Sequence, residues 1–173
     1  MRLPDPRGLP YALLRRFPPP PPVYWRLARL ANDSFLVGAC GVVADERGRV
    51  LVFHHTYRQD PWGLPGGWMR RGESPLECLE REVAEESGLE VRATRLLLIG
   101  VAPDRPKLDL VVGGTLVGGS FRPSREVDAH RWARPDELPL PSFDRLILAE
   151  CARLEPGEVG RFTIPWSPTA AKG

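Results

Sequence analysis

Glu73, Arg81, Glu82, Glu85 and Glu86 sit at fixed spacing in one run, Gly67 to Leu89, reading GWMRRGESPLECLEREVAEESGL. Carboxylates this close repel one another, so helix stability alone does not account for gathering them; a divalent cation turns the repulsion into attraction. Magnesium sites built from a few carboxylates usually handle phosphates, so the run points to phosphate chemistry. The plainer reading is an acidic, solvated surface helix, and Glu-Glu-x-Gly alone supports no more than that. It leaves unexplained why so little lysine-type compensation shares the face, and why Gly66, Gly67 and Gly72 precede the cluster. Those glycines suit a tight loop whose backbone approaches a ligand or metal closely.

The elements that must position these groups are legible around them. Ser74-Pro75-Leu76-Glu77 reads as a helix start, with Ser74 as cap, Pro75 at the first helical position and Glu77 completing a capping box. Gly88 supplies a left-handed stop. Leu76, Leu79 and Val83 recur at helical spacing as an apolar stripe, and Glu82, Glu85 and Glu86 fall on adjoining faces beside it. Arg81 is placed to hold one glutamate ionised and oriented through a paired hydrogen bond.

At this point the residues resemble a known family. Gly67, Glu73, Arg81, Glu82, Val83, Glu85, Glu86, Gly88 and Leu89 fill every defined position of the Nudix box, G-x5-E-x7-R-E-U-x-E-E-x-G-U with U a bulky aliphatic residue. Trp62-Gly63-Leu64-Pro65-Gly66-Gly67 is similar to the family's W-x-L-P-G-G approach. Glu126 to Trp132 and Asp136-Glu137-Leu138-Pro139 resemble its later strand and following helix start. The resemblance spans roughly residues 34 to 150. It implies an α/β/α sandwich with a mixed β-sheet between helices, and metal-dependent hydrolysis of a diphosphate linkage in a nucleoside diphosphate linked to a group X. It further implies Mg²⁺ or Mn²⁺ held by Glu82, Glu85 and Glu86, with the Gly67 carbonyl as a further ligand, Arg81 orienting Glu82, and Glu73 in support. The proton of the attacking water falls to a box glutamate such as Glu85, or to one from a later loop; Glu126 is the candidate there, against a plain solvent-facing role. Arg58 and Arg70 are candidates for phosphate oxygens and Trp68 for stacking on a base or sugar. Two alternatives stay open: a non-catalytic Nudix nucleotide sensor, and an RNA 5′-end pyrophosphohydrolase.

The remaining chain sets limits. At 173 residues it fits one core-forming domain, and a net charge of +2 gives no basic field for DNA. Its lysines are Lys107 and Lys172 alone. Cys40, Cys78 and Cys151 form no CxxC pair, which suits a reduced, cytoplasmic protein. No apolar stretch approaches membrane-spanning length. Residues 1–33 form a proline-rich extension, its run Pro18 to Pro22 reading as a stiff spacer before a short helix in Val23 to Leu30. For so short a helix, packing on its own domain outranks a homodimer or membrane-surface contact. Residues 34–154 form the Nudix domain, and 155–173 an irregular tail. Phe35 to Ala44 and Val50 to His55 flank Asp45-Glu46-Arg47-Gly48 in a hairpin pattern. Thr94 to Val101 and Leu108 to Val117 read as further strands, and Ser142 or Asp144 to Leu154 as a helix with Phe143, Leu146, Ile147 and Cys151 as its apolar stripe.

Overall fold

The computed structural model describes residue 16, residues 19–137 and residues 140–165. The chain divides into two compact units, with the boundary in the sequence between Phe35 and Leu36. In the first, helix α1 spans Pro21–Ala31. The last two prolines of the predicted spacer thus belong to the helix's first turn, where a missing N–H leaves nothing unsatisfied; Pro18 lies outside the described residues. Asn32 closes the helix, with both its backbone N–H and its side-chain Nδ2 donating to the Ala28 carbonyl.

The second unit contains strands β1 (Leu36–Val43), β2 (Val50–His55), β3 (Trp62–Gly63) and β4 (Gly66–Trp68), then helix α2 (Pro75–Ser87). Strands β5 (Leu89–Val101), β6 (Lys107–Gly119) and β7 (Val127–Ala133), helix α3 (Ser142–Cys151) and strand β8 (Gly160–Thr163) complete it. A five-stranded mixed sheet runs β4-β1-β6-β5-β8, and a three-stranded antiparallel sheet runs β3-β2-β7. Leu79 and Val83 of α2 pack with Leu51, Phe53 and Val112 on one side. Ile147 of α3 packs with Val52, Val111 and Phe162 on the other. Alternating strand residues thus feed two apolar layers, and the expected mixed sheet between helices is what forms. Each fully buried Leu or Val contributes about 2 kcal/mol through its apolar surface.

Two expectations are corrected. The Asp45–Gly48 turn forms, with Asp45 accepting from the Arg47 and Arg49 N–H groups, but it does not join a hairpin. After the single bridge Ala44↔Val50 the chain parts, and β1 and β2 enter different sheets. The parallel pairing of β1 with β6 takes the edge that β2 would have used. Likewise, the stretch after Leu154 is not wholly irregular: β8 adds in parallel to β5, burying Phe162, with Ile164 buried just beyond. Four residues with one inward aromatic give too short an alternation to stand out in the sequence. The tail from 166 onward and Leu138-Pro139 lie outside the described residues.

The glycine expectations have direct physical causes. Gly88 caps α2 with φ 70°, in the left-handed region. Gly66 has φ 152°, and a Cβ there would overlap the Ala39 carbonyl and stand 2.9 Å from Cys40 Cα. This backbone-on-backbone approach lets β4 lie against β1 and presents Gly67 to α2. Gly66→Ala should therefore destabilise the protein by at least about 2 kcal/mol, a fall in Tm of roughly 4–8 °C for a chain of this size. A wild-type Tm by thermal denaturation would refute the argument.

Candidate functional site

Helix α2 is fixed at both ends. Ser74 Oγ accepts from the Glu77 N–H and the Glu77 carboxylate accepts from the Ser74 N–H, the capping box read from the sequence. Leu79 and Val83 are fully buried, which turns the glutamate face toward β4.

Arg81 organises that face. It forks onto Glu73, Nε to Oε2 at 2.9 Å and Nη2 to Oε1 at 2.7 Å. It also reaches Glu82 at 2.7 Å, Glu85 at 3.2 Å and the Trp68 carbonyl at 3.2 Å. The paired bond expected of Arg81 thus goes to Glu73, and Glu82 receives a single one. The Arg81 fork holds the Glu73 carboxyl down to about 2, helped by the Arg70 N–H, which donates to Glu73 Oε1. Arg70 in turn forks onto Glu85, at 3.0 and 2.9 Å, and chiefly for that reason Glu85 sits below the usual carboxylate range.

A cavity of about 710 Å³ opens against this face. Its wall includes Gly67, Glu82, Glu85, Glu86 and Glu126, and also Arg58, Arg70 and Trp68. These eight residues therefore face one space, while Glu73 and Arg81 stand behind it as supports. The bare Cα of Gly67 matters here: the Glu82 carboxylate lies where a Cβ would be, with Oε2 2.8 Å from that point.

Glu86 is the outlier. Its residue is 8 % exposed, and Oε2 is buried with no hydrogen-bond partner. Burial, then repulsion from Glu82 and Glu126, push its carboxyl up to about 7, against an opposing pull from Arg58. Among the described residues no group of three acidic, histidine or cysteine side chains stands ready to hold a metal ion. Glu85 in particular is turned to arginines. The donor set nonetheless fits a hard cation: oxygen ligands only, from Glu82, Glu86 and the Gly67 carbonyl, with an orphaned buried carboxylate oxygen among them.

Other residues fall outside the cavity wall. Trp62 is packed between His54, whose ring lies 5.0 Å away, and Arg131, whose guanidinium sits 4.2 Å over it. His55 is fully buried and His54 bonds Asp128, so neither serves the cavity. Asp104 and Arg105 pair with each other. Sequence reasoning did not single out Gly38, Asp109, Phe143 or Asp144, all on the wall. Asp144, at the start of α3, accepts from the Leu64 N–H at 2.9 Å and so ties α3 to the loop carrying Gly66 and Gly67. Burial raises its carboxyl to about 6. The available signal was a lone acid inside an apolar strand, Asp109 in LDLVV, because a buried charge demands a partner.

The Glu86 pKa sets a stability test. Its folded value lies above the ordinary 4.5, so ionising it opposes folding; the penalty is absent below the ordinary value and complete above about 7. In EDTA at pH 8, Glu86→Gln should raise Tm by roughly 4–8 °C, about 2 kcal/mol, and the gain should have largely gone by pH 5. Equal melting temperatures at pH 8 would refute the reading.

Comparison with known proteins finds related chains. The NUDIX domain model matches residues 34–151. The 8-oxo-dGDP phosphatase NUDT18 of Danio rerio is 34% identical over 126 residues, 69% of this chain and 38% of that protein. A MutT-like protein of Streptomyces ambofaciens is 35% identical over 102 residues, 59% of this chain and 66% of its own length. The chain thus spans less than two thirds of either relative. An ADP-ribose pyrophosphatase structure from Streptococcus suis superposes with a TM-score of 0.62 at 26% identity, covering 75% of this chain and all of that one. With the box glutamates gathered on one cavity wall and the family model covering the core of the chain, the protein belongs to the NUDIX family.

Proposed function

We propose that the chain hydrolyses a diphosphate bridge in a nucleotide of the nucleoside diphosphate-X type, using Mg²⁺ or Mn²⁺. The observation that carries this is Glu86, an unpartnered buried carboxylate facing a cavity already rich in carboxylates. Such a group is a standing cost to the fold and is explained by a cationic ligand. Glu82, Glu86 and the Gly67 carbonyl would hold the ion, with Glu85 joining once Arg70 lets go of it. A bound ion supplies charge neutralisation at the phosphates and a more acidic water.

The protein's own groups supply the rest. Arg81 keeps Glu82 oriented while spending its fork on Glu73. Arg58 lines the cavity without a carboxylate salt bridge among the described residues, so it is the arginine free to meet a phosphate. Arg70 can do so only by exchanging Glu85 for the phosphate, which would release Glu85 toward the ion. The proton acceptor is Glu126. Its carboxylate is exposed at the cavity and lies near enough to Glu86 to raise it. Glu85, held low by two arginines, is the weaker base.

A substrate panel with Mg²⁺ and with Mn²⁺, products identified by mass, tests this. It should include 8-oxo-guanine nucleotides, ADP-ribose, nucleotide sugars, dinucleoside polyphosphates and 5′-triphosphate RNA. Turnover should be lost in EDTA and should fall about a hundredfold or more in Glu82→Gln and in Glu126→Gln. Activity that survives EDTA or Glu82→Gln would overturn the reading. Ligands that raise Tm without any turnover would instead indicate a sensor.

A further inference from the structure

The cavity has a second polar centre, away from the glutamates of α2. Asp109, on β6, has a side chain only 8 % exposed yet lies on the cavity wall. Its register partner on β1 is Gly38, and a Cβ on Gly38 would stand 2.8 Å from Asp109 Oδ1. The missing side chain opens a notch in the cavity floor in front of the carboxylate. Lys107 Nζ forms a salt bridge to Oδ2 at 2.8 Å, and Oδ2 accepts no hydrogen bond among the described residues. The same ammonium lies 5.5 Å from the centre of the Trp68 ring and 5.6 Å from that of Phe143. It is one of only two lysines in an arginine-rich chain.

A buried carboxylate with hydrogen-bonding capacity to spare, an ammonium paired with it and two aromatic rings nearby describe a ligand. It must be flat and apolar on its faces, with two adjacent N–H donors and a neighbouring acceptor on one edge. The Watson–Crick edge of guanine has that sequence: O6 accepts, N1–H and the 2-amino group donate. Adenine and cytosine each put a ring-nitrogen acceptor beside their amino group, and uracil has one N–H between two carbonyls. Resting on the nucleotide-hydrolase reading, we propose that Asp109 and Lys107 form a specificity site for a guanine-type base, stacked by Trp68 and Phe143. Asp109 accepts from N1–H and the 2-amino group, and Lys107 donates to O6. Oxidation at C8 leaves this edge intact, so an oxidised guanine is accommodated equally on it.

The test is calorimetric titration of the full chain with the α,β-methylene analogues of GDP, IDP and ADP, which keep base and charge but carry no cleavable bridge. IDP retains O6 and N1–H and lacks the 2-amino group. The wild type should bind the guanine analogue about tenfold more tightly than either other one, because a site built to pair a donor rejects the analogue lacking it. In Asp109→Asn, whose amide has one acceptor oxygen, the guanine-over-inosine preference should shrink to under about threefold. In Lys107→Met, guanine and inosine should weaken together by roughly fivefold, with adenine unchanged. Lys107 is partly exposed, so this variant reads the site even if Asp109→Asn does not fold. Equal affinity for the three analogues in the wild type would overturn the proposal, as would a full guanine-over-inosine preference retained in a folded Asp109→Asn or a full guanine-over-adenine preference retained in Lys107→Met. Turnover of the natural diphosphates in the same preparation separates the two readings. Hydrolysis without base preference keeps the enzyme and removes this site; base preference without hydrolysis does the reverse.

Discussion

One guanidinium carries the arrangement. Arg81 bonds Glu73, Glu82, Glu85 and the Trp68 carbonyl, so α2, the loop before it and strand β4 share a single donor fork. Its side chain is 17 % exposed, which keeps these bonds in a poorly screened environment where charge-assisted pairs are strong. Lysine at this position would supply one point charge in place of a planar fork, and could not bridge three carboxylates and a carbonyl in one fixed orientation. Glu82 then has its direction set before any ligand arrives.

Around that hub the carboxylates fall into two classes. Glu73 and Glu85 are arginine-bound and held below the usual carboxylate range; Glu86 is buried, unpartnered and pushed above it. Neighbouring members of one helix, Glu85 and Glu86 are driven apart purely by what surrounds them. Glu85 forms part of the cavity wall, Glu73 supports it from behind, and Glu86 faces the cavity. Stability is sacrificed locally at Glu86, and the two apolar layers of the sandwich offset the loss.

Much of this was legible in the sequence because the decisive features are local. The capping box, the Gly88 stop and the stripe of Leu79 and Val83 are all written within about one helix length, the range over which pattern reading works. The same holds for the gathering of Gly67, Glu82, Glu85 and Glu86. What escaped is set by pairings between distant segments. Nothing near Asp45 says that β1 will pair in parallel with β6 in place of β2. Phe143 reads as part of a helix stripe until α3 places it near Lys107. Arg81's preference for Glu73 depends on a loop conformation that spacing does not encode.

The parallel pairing of β1 with β6 also dictates when the cavity comes into being. Gly38 and Asp109, register partners on its floor, are separated by about 70 residues. Closing so long a loop is slow, and it rewards the chain only when complete. During synthesis α2 can wind early, since its caps and stripe are local. Its glutamate face then has no opposite wall until β6 has emerged and docked beside β1. A nascent chain ending before Lys107 therefore displays the carboxylates without the floor that Gly38 and Asp109 form together. The cavity wall is complete only once Glu126, Phe143 and Asp144 have followed.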